Sequence, residues 1–228
     1  VPPQLRRNRT LLAAVLAVIV VALAALFVQN SWLPRHAPAE QATTAAAVSD
    51  KSIAVLPFTD MSEKHDQEYF GDGMAEEILD LLAKIPGLTV IGRTSSFSFK
   101  GKREDLRTIG MQLHAAYVLE GRVRKTGDTV RITTQLITTR TGTHEWSETY
   151  DRPIGDVLTL QDAIAAAVAR NLQLTVASEY LSVRSKVKDV QAYDLLLRAR
   201  HAADRLDKEG LDEALILLRQ ALDRDPTS

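Results

Sequence analysis

Hydrophobic and polar positions change rhythm several times along the chain, and each rhythm predicts a different kind of element. From Leu11 to Val28 the sequence is LLAAVLAVIVVALAALFV, eighteen apolar residues without a charge. As a helix rising about 1.5 Å per residue, it covers roughly 27 Å of hydrocarbon and is predicted to cross a membrane. A core helix of a small protein would be shorter and would keep polar residues on part of its surface. Across Gln29 to Asp50 the periodicity gives way to Ala, Pro and Thr. That composition predicts an extended or disordered linker of roughly 70 Å when fully stretched.

From Ser52 the pattern alternates between strand and helix. Ile53-Ala54-Val55-Leu56, ended by Pro57, fits a strand buried on both faces. After a polar loop from Thr59 to Asp72, the residues Met74, Ile78, Leu81, Leu82 and Ile85 recur at helical spacing. Asp72 is expected to cap that helix and Pro86-Gly87 to stop it. Leu88 to Ile91 predicts a second strand, and Leu106, Ile109 and Leu113 a second helix after a Ser-rich, basic connector. Tyr117 to Arg124, Thr129 to Thr138 and Thr143 to Tyr150 are β-branched and aromatic, with turns at Gly127-Asp128 and Gly142, and predict antiparallel strands. Val130, Ile132, Thr134 and Leu136 alternate with Arg131, Thr133 and Gln135, so one face should be buried and the other wet or shared with a partner. Val157, Leu160, Ile164, Val168 and Leu172 lie on one stripe of a last helix. The sum is an α/β fold, a mixed β-sheet with packed helices.

Beyond Asp189 the chain turns Ala-, Leu- and charge-rich. Two antiparallel helices are predicted, one carrying Tyr193, Leu196, Leu197 and Ala199, the other Leu211, Ala214, Leu215, Leu218, Ala221 and Leu222. Their second half is similar to a tetratricopeptide repeat at Ala214, Leu218, Ala221 and Pro226, whereas the first half needs roughly three extra residues to align. Because one repeat cannot bury its own face, the array is expected to continue beyond Ser228.

Charge decides orientation and little else. Arg6, Arg7 and Arg9 precede the apolar span and only Arg35 lies close beyond it. The positive-inside rule therefore puts the amino terminus in the cytoplasm of a single-pass inner-membrane protein and residues after about 33 in the periplasm, with Trp32 near the exit. A cleaved signal with a site at Ala37-Pro38-Ala39 is the rival, and the length of the span argues against it. The chain starts at Val1 and stops in mid-pattern, as expected for a piece of something longer. The 28 basic and 29 acidic residues nearly cancel, pointing to no nucleic-acid partner, and the absence of cysteine removes thiolate and cysteine-metal chemistry.

The segments KSIAVLPF, DQEYFGDGMAEEILDLLAKIPGLTVIGRTSSFSFKGK, YVLEGRVRKTGDTVRITTQLI and HEWSETYDR with LQDAIA closely resemble the TolB amino-terminal-like domain of bacterial membrane regulators. The resemblance implies a sensing or protein-binding domain placed after one membrane helix and before tetratricopeptide repeats. It also implies a cytoplasmic output domain upstream, either a winged-helix DNA-binding domain or a class III adenylate cyclase. It carries no catalytic residue set. The organisation expected is a cytoplasmic flank over 1–10, a transmembrane helix over 11–28, a linker over 29–50, the TolB-like domain over 51–178 and the start of a repeat array over 189–228.

Other chemistry is weakly encoded. Asp60, Glu63, Asp66, Glu68 and Asp72 crowd one loop, but their spacing is not that of an EF-hand, and a solvated loop with a cap is the plainer reading. Gly71-Asp72-Gly73 lacks the rest of a nucleotide fingerprint. The histidines at 36, 65, 114, 144 and 201 show no metal-ligand spacing, so no metal or cofactor is expected. The basic and aromatic run from Arg93 to Arg103 resembles a single-strand stacking platform, a use that a place outside the cytoplasm argues against. Its two remaining readings are Phe97 and Phe99 packed into the core with the cations facing water, or a partner groove built from Arg93, Ser95, Phe97, Phe99 and Lys100.

The chain is thus expected to be a membrane-anchored, non-enzymatic sensing or interaction module with protein partners, a homodimer being allowed. A non-catalytic portion of an adenylate cyclase and an envelope scaffold are the alternatives.

Overall fold

The computed structural model describes residues 49–174 and 188–226. The predicted membrane span at 11–28 and the linker up to residue 48 lie outside them. Among the described residues no helix is long and apolar enough to cross a membrane.

The strands are β1 (Ser52–Val55), β2 (Thr59–Asp60), β3 (Thr89–Val90), β4 (Tyr117–Thr126), β5 (Thr129–Thr138) and β6 (Thr143–Pro153). They form one sheet in the order β3-β1-β4-β5-β6, with β2 also paired to β4. β1 is parallel to β3 and β4, whereas β4, β5 and β6 form an antiparallel meander, so the sheet is mixed as expected. All four residues of β1 are buried. The alternation in β5 holds, with Val130, Ile132, Thr134 and Leu136 at 1% exposure or less.

The helices are α1 (Glu68–Ala83), α2 (Arg93–Phe97), α3 (Leu106–Leu113), α4 (Val157–Asn171), α5 (Val190–Ala203) and α6 (Lys208–Arg224). The main core joins one face of the sheet (Ile53, Val55, Leu119, Ile132) to Phe70 and Ile78 of α1 and to Ile164 and Val168 of α4. A smaller core on the other face joins Ala54, Leu56 and Val118 to Phe99 and to Ile109 and Leu113 of α3. This second cluster covers the β1 end of that face, whereas Arg122, Arg124 and Arg131 on β4 and β5 remain exposed.

Pro57 breaks the pairing of β1 with β4, because proline has no N–H to donate. The ladder resumes at Thr59 opposite Arg122, one residue out of step with Val55 opposite Leu119. The bulge turns Phe58 into the main core, where it replaces a side chain on β4: a Cβ at Gly121 would lie 2.7 Å from the Phe58 ring. A Cβ at Gly71 of α1 would lie 2.5 Å from the Phe58 carbonyl oxygen. Both glycines are there for close approach. Gly121→Ala is expected to destabilise the fold by about 2 kcal/mol through overpacking, measured as a shift in the urea midpoint. A cost near zero would mean Phe58 has room to retreat.

One expectation needs correcting. Asp72 does not cap the first helix but sits one turn inside it, at 6% exposure. The helix starts early because the Asp60 carboxylate reaches down from β2 to accept the backbone N–H groups of Ser62 and Gln67, each at 2.8 Å. The glycines on either side of Asp72, weighed above only as an incomplete nucleotide fingerprint, lie inside the helix and serve packing.

The carboxy-terminal helices are capped by Asp189, which accepts from Gln191 and Ala192, and by Asp207, which accepts from Gly210. They meet through small residues, Ala199 and Ala202 against Ala214, with Leu217 alongside. The predicted α6 stripe is therefore rotated: Ala214 faces α5, while Leu211, Leu215 and Leu222 are at least half exposed and Leu218 is 36% exposed.

Candidate functional site

Two features could serve a partner, a seam and a cleft. The seam lies between α1 and α5, which pack together at Leu197, 1% exposed and so close to α1 that a Cβ at Gly73 would sit 2.6 Å from its Cδ2. Charged groups surround that contact. Asp194 Oδ1 accepts from the Tyr69 hydroxyl at 2.6 Å and the Lys125 ammonium at 2.7 Å, and its Oδ2 pairs with Arg198 at 2.8 Å. Burial alone would raise the Asp194 pKa, but Lys125, Tyr69 and Arg198 outweigh it and hold the carboxyl below its ordinary value. Burial and then Asp194 push the Tyr69 hydroxyl up. Further along, Arg200 donates to Glu77 at 2.6 Å, and His201 lies 3.3 Å from Asp72.

Asp72 also takes a hydrogen bond from Lys100, which pairs with Glu68 at 2.8 Å as well. Burial works against the Lys100 charge, yet these two carboxylates raise its pKa. Lys100 contributes chiefly to Glu68, whose pKa is lowered despite burial. Of the crowded acidic residues, Asp60 is spent on backbone N–H groups and Glu68 and Asp72 on Lys100, whereas Glu63 and Asp66 face solvent.

The cleft, of about 570 Å³, opens on the face of the sheet that α3 leaves uncovered. Its floor is the edge of the smaller core, including Leu56, Phe99 and Ile109. One wall is the loop from Lys100 to Glu104, and the other is built from Glu120, Arg122, Thr133 and Gln135 of β4 and β5.

The five residues proposed as a partner groove divide between these places. Phe99 and Lys100 border the cleft. Phe99 is buried, with the Lys102 ammonium 5.0 Å above its ring. Arg93, Ser95 and Phe97 are outside the cleft lining. Arg93 stacks on Phe97 at 4.6 Å, hydrogen bonds to Asp204, and lies 3.3 Å from Glu76 without hydrogen-bond alignment. Ser95 is exposed, its carbonyl accepting from the Ser98 hydroxyl at 2.8 Å. Thr133 and Gln135 lie on the face expected to be wet or shared with a partner, whereas Glu120 and Arg122 carried no expectation. The signal for those two was the same polar alternation, continued on β4.

The family of the HilA/YgeH-like transcriptional regulator, second domain, matches residues 49–167. A protein of Rhizobium meliloti named putative adenylate cyclase 3 is 39% identical over 204 residues, 86% of this chain. The chain spans 35% of that relative's length. Among solved structures, TolB from Acinetobacter baumannii is similar over 53% of this chain and 28% of its own, with 15% identity and a TM-score of 0.39. Lipoprotein GNA1162 from Neisseria meningitidis is similar over 56% of this chain and 99% of its own, with 20% identity and a TM-score of 0.40.

Proposed function

Since this chain belongs, through residues 49–167, to the family of the HilA/YgeH-like transcriptional regulator second domain, we propose that it is the non-catalytic, protein-binding part of a membrane-anchored regulator. The apolar span at 11–28 holds it in the inner membrane, with the arginine-flanked end in the cytoplasm and the α/β domain in the periplasm. An output domain upstream of Val1 reads its state. The α5–α6 pair is the first unit of a tetratricopeptide array, and a helix of the next repeat or of a partner protein covers α6.

The observation that carries this reading is the row Leu211, Leu215, Leu218 and Leu222, with Ile216 beside it, left in solvent on a helix whose other face is packed. Exposed apolar rows of this kind mark protein contacts. Leu215→Glu with Leu222→Glu, in the full-length protein, is expected to change cytoplasmic output while altering stability by no more than about 0.5 kcal/mol. Output equal to wild type would remove the row from function and favour an envelope scaffold that passes no signal. Orientation is tested by fusing a reporter active only outside the cytoplasm after Asp50 and, separately, after Arg9. Activity at Arg9 instead of Asp50 would reverse the reading.

A second reading concerns the output. The 39% identity with a protein named putative adenylate cyclase 3 favours a nucleotide cyclase upstream, in place of a DNA-binding domain. Cyclic AMP made by the full-length protein, compared with its DNA binding, decides between the two.

A further inference from the structure

We propose that the cleft beside Phe99 binds an extended acidic peptide segment of a partner protein. This rests on the protein-binding reading above and gives the partner's chemistry.

The lining of the cleft carries charges that its own ion pairs and hydrogen bonds do not balance. Of its carboxylates, Asp60 is spent on the N–H groups of Ser62 and Gln67, Glu68 on Lys100, and Glu104 on the amide of Gln112 at 3.3 Å. Of its cations, Lys100 is held by Glu68 and Asp72, and Lys102 lies over Phe99. What remains are the Arg103 and Arg122 guanidiniums and the Glu120 carboxylate, whose side chains have no hydrogen-bond or ion-pair partner among the described residues. The free charge is therefore two planar forks, one on each wall, against one acceptor. A guanidinium fork matches a carboxylate bidentately, so an acidic side chain between the walls would satisfy both arginines.

The rest of the cleft fits a peptide better than a polyanion. Glu120 repels a run of phosphates but accepts a backbone N–H. Gln135 and Thr133 offer both donors and acceptors to an amide. The apolar floor takes a neighbouring side chain, and about 570 Å³ is a volume typical of ligand sites. Arg103 is exposed on its loop and Arg122 on the open sheet face, so both forks can be reached from solvent.

The test is to pan a random heptapeptide library displayed on phage against the full chain, then measure the enriched peptides by fluorescence anisotropy. Peptides with Asp or Glu beside an apolar residue are expected, and Arg103→Glu and Arg122→Glu should each weaken them about tenfold. Both sites are exposed, and circular dichroism of each variant verifies that it is folded. No enrichment, peptides without acidic residues, or equal binding to both variants overturns the proposal. So does a short oligothymidine that binds with the same arginine dependence while the peptides do not. If the cleft fails while Leu215→Glu with Leu222→Glu still changes output, the protein-binding reading stands without it. If both fail, that reading falls as well.

Discussion

Replacing Leu197 with alanine is expected to cost about 3 kcal/mol of folding stability, as large-to-small changes in a packed core do. For a domain of this size the melting temperature should fall by about 9 °C. The reason is where the side chain sits: Leu197 belongs to α5, yet at 1% exposure it is part of the main core of the α/β domain. The absence of a side chain at Gly73 makes room for it, and with alanine at position 197 that room becomes a cavity. Leu215→Ala, on the exposed row of α6, is the control and should change stability by less than about 0.5 kcal/mol. The two outcomes bear on signalling as well as stability. If Leu197→Ala lowers global stability, α5 and the α/β domain unfold as one unit, and a partner pulling on the helix pair also loads α1. A loss confined to hydrogen-exchange protection of α5 and α6, with the α/β domain unaffected, would instead make the helix pair a separately melting attachment.

Much of this architecture was legible in the periodicity of the sequence, because β4, β5, α1, α3 and α4 each carry a regular pattern that burial then obeys, whereas β6 was recognised by its β-branched and aromatic composition and is buried only at Tyr150. What was not legible depends on partners distant in the chain. Arg93–Phe97 has no apolar period, so the short α2 was hidden in a connector. Gly71 and Gly73 suggested only a partial nucleotide fingerprint, because nothing local reveals that Phe58 and Leu197 press against them. The leucines of α6 have helical spacing, but spacing does not say which of two adjacent stripes faces α5. Ala214 and Leu217 took the packed side, leaving Leu211, Leu215 and Leu222 outside. For the candidate site, the run from Arg93 to Lys100 was rightly singled out as unusual, yet a helix end falls within it. Arg93 and Phe97 consequently brace α2, while Phe99 and Lys100 border the cleft. The opposite wall comes from strands more than fifteen residues further on, and only the sheet brings Arg122 and Gln135 across from that loop.

Asp194→Ala is expected to destabilise the protein by about 2 to 4 kcal/mol, because it removes the carboxylate that three side chains share. The Lys125 ammonium, 18% exposed, would lose its counter-charge, the Tyr69 hydroxyl the shorter of its two acceptors, with Gln67 Oε1 left at 2.9 Å, and Arg198 its ion pair. The part of these groups still reached by water keeps the cost below that of a fully buried pair. Asp194→Asn separates charge from hydrogen bonding, since the amide oxygen still accepts from Tyr69. Acid titration then gives the sign. Because the folded carboxyl is held below its ordinary 3.8, its ionisation contributes stability that is fully present above that value and lost as pH falls through the lower folded one. The stability difference between wild type and Asp194→Asn, measured by urea unfolding at a series of pH values, should therefore be constant near neutrality and shrink below about pH 4. A difference that grows on acidification would mean that burial, not Lys125, governs Asp194. Replacing the pair together, with Lys125→Met and Asp194→Leu, should recover much of the loss, as apolar substitutes for a buried ion pair do. The seam would then hold without its charges, and any change in output by that double variant would belong to the charges and not to the docking of α5.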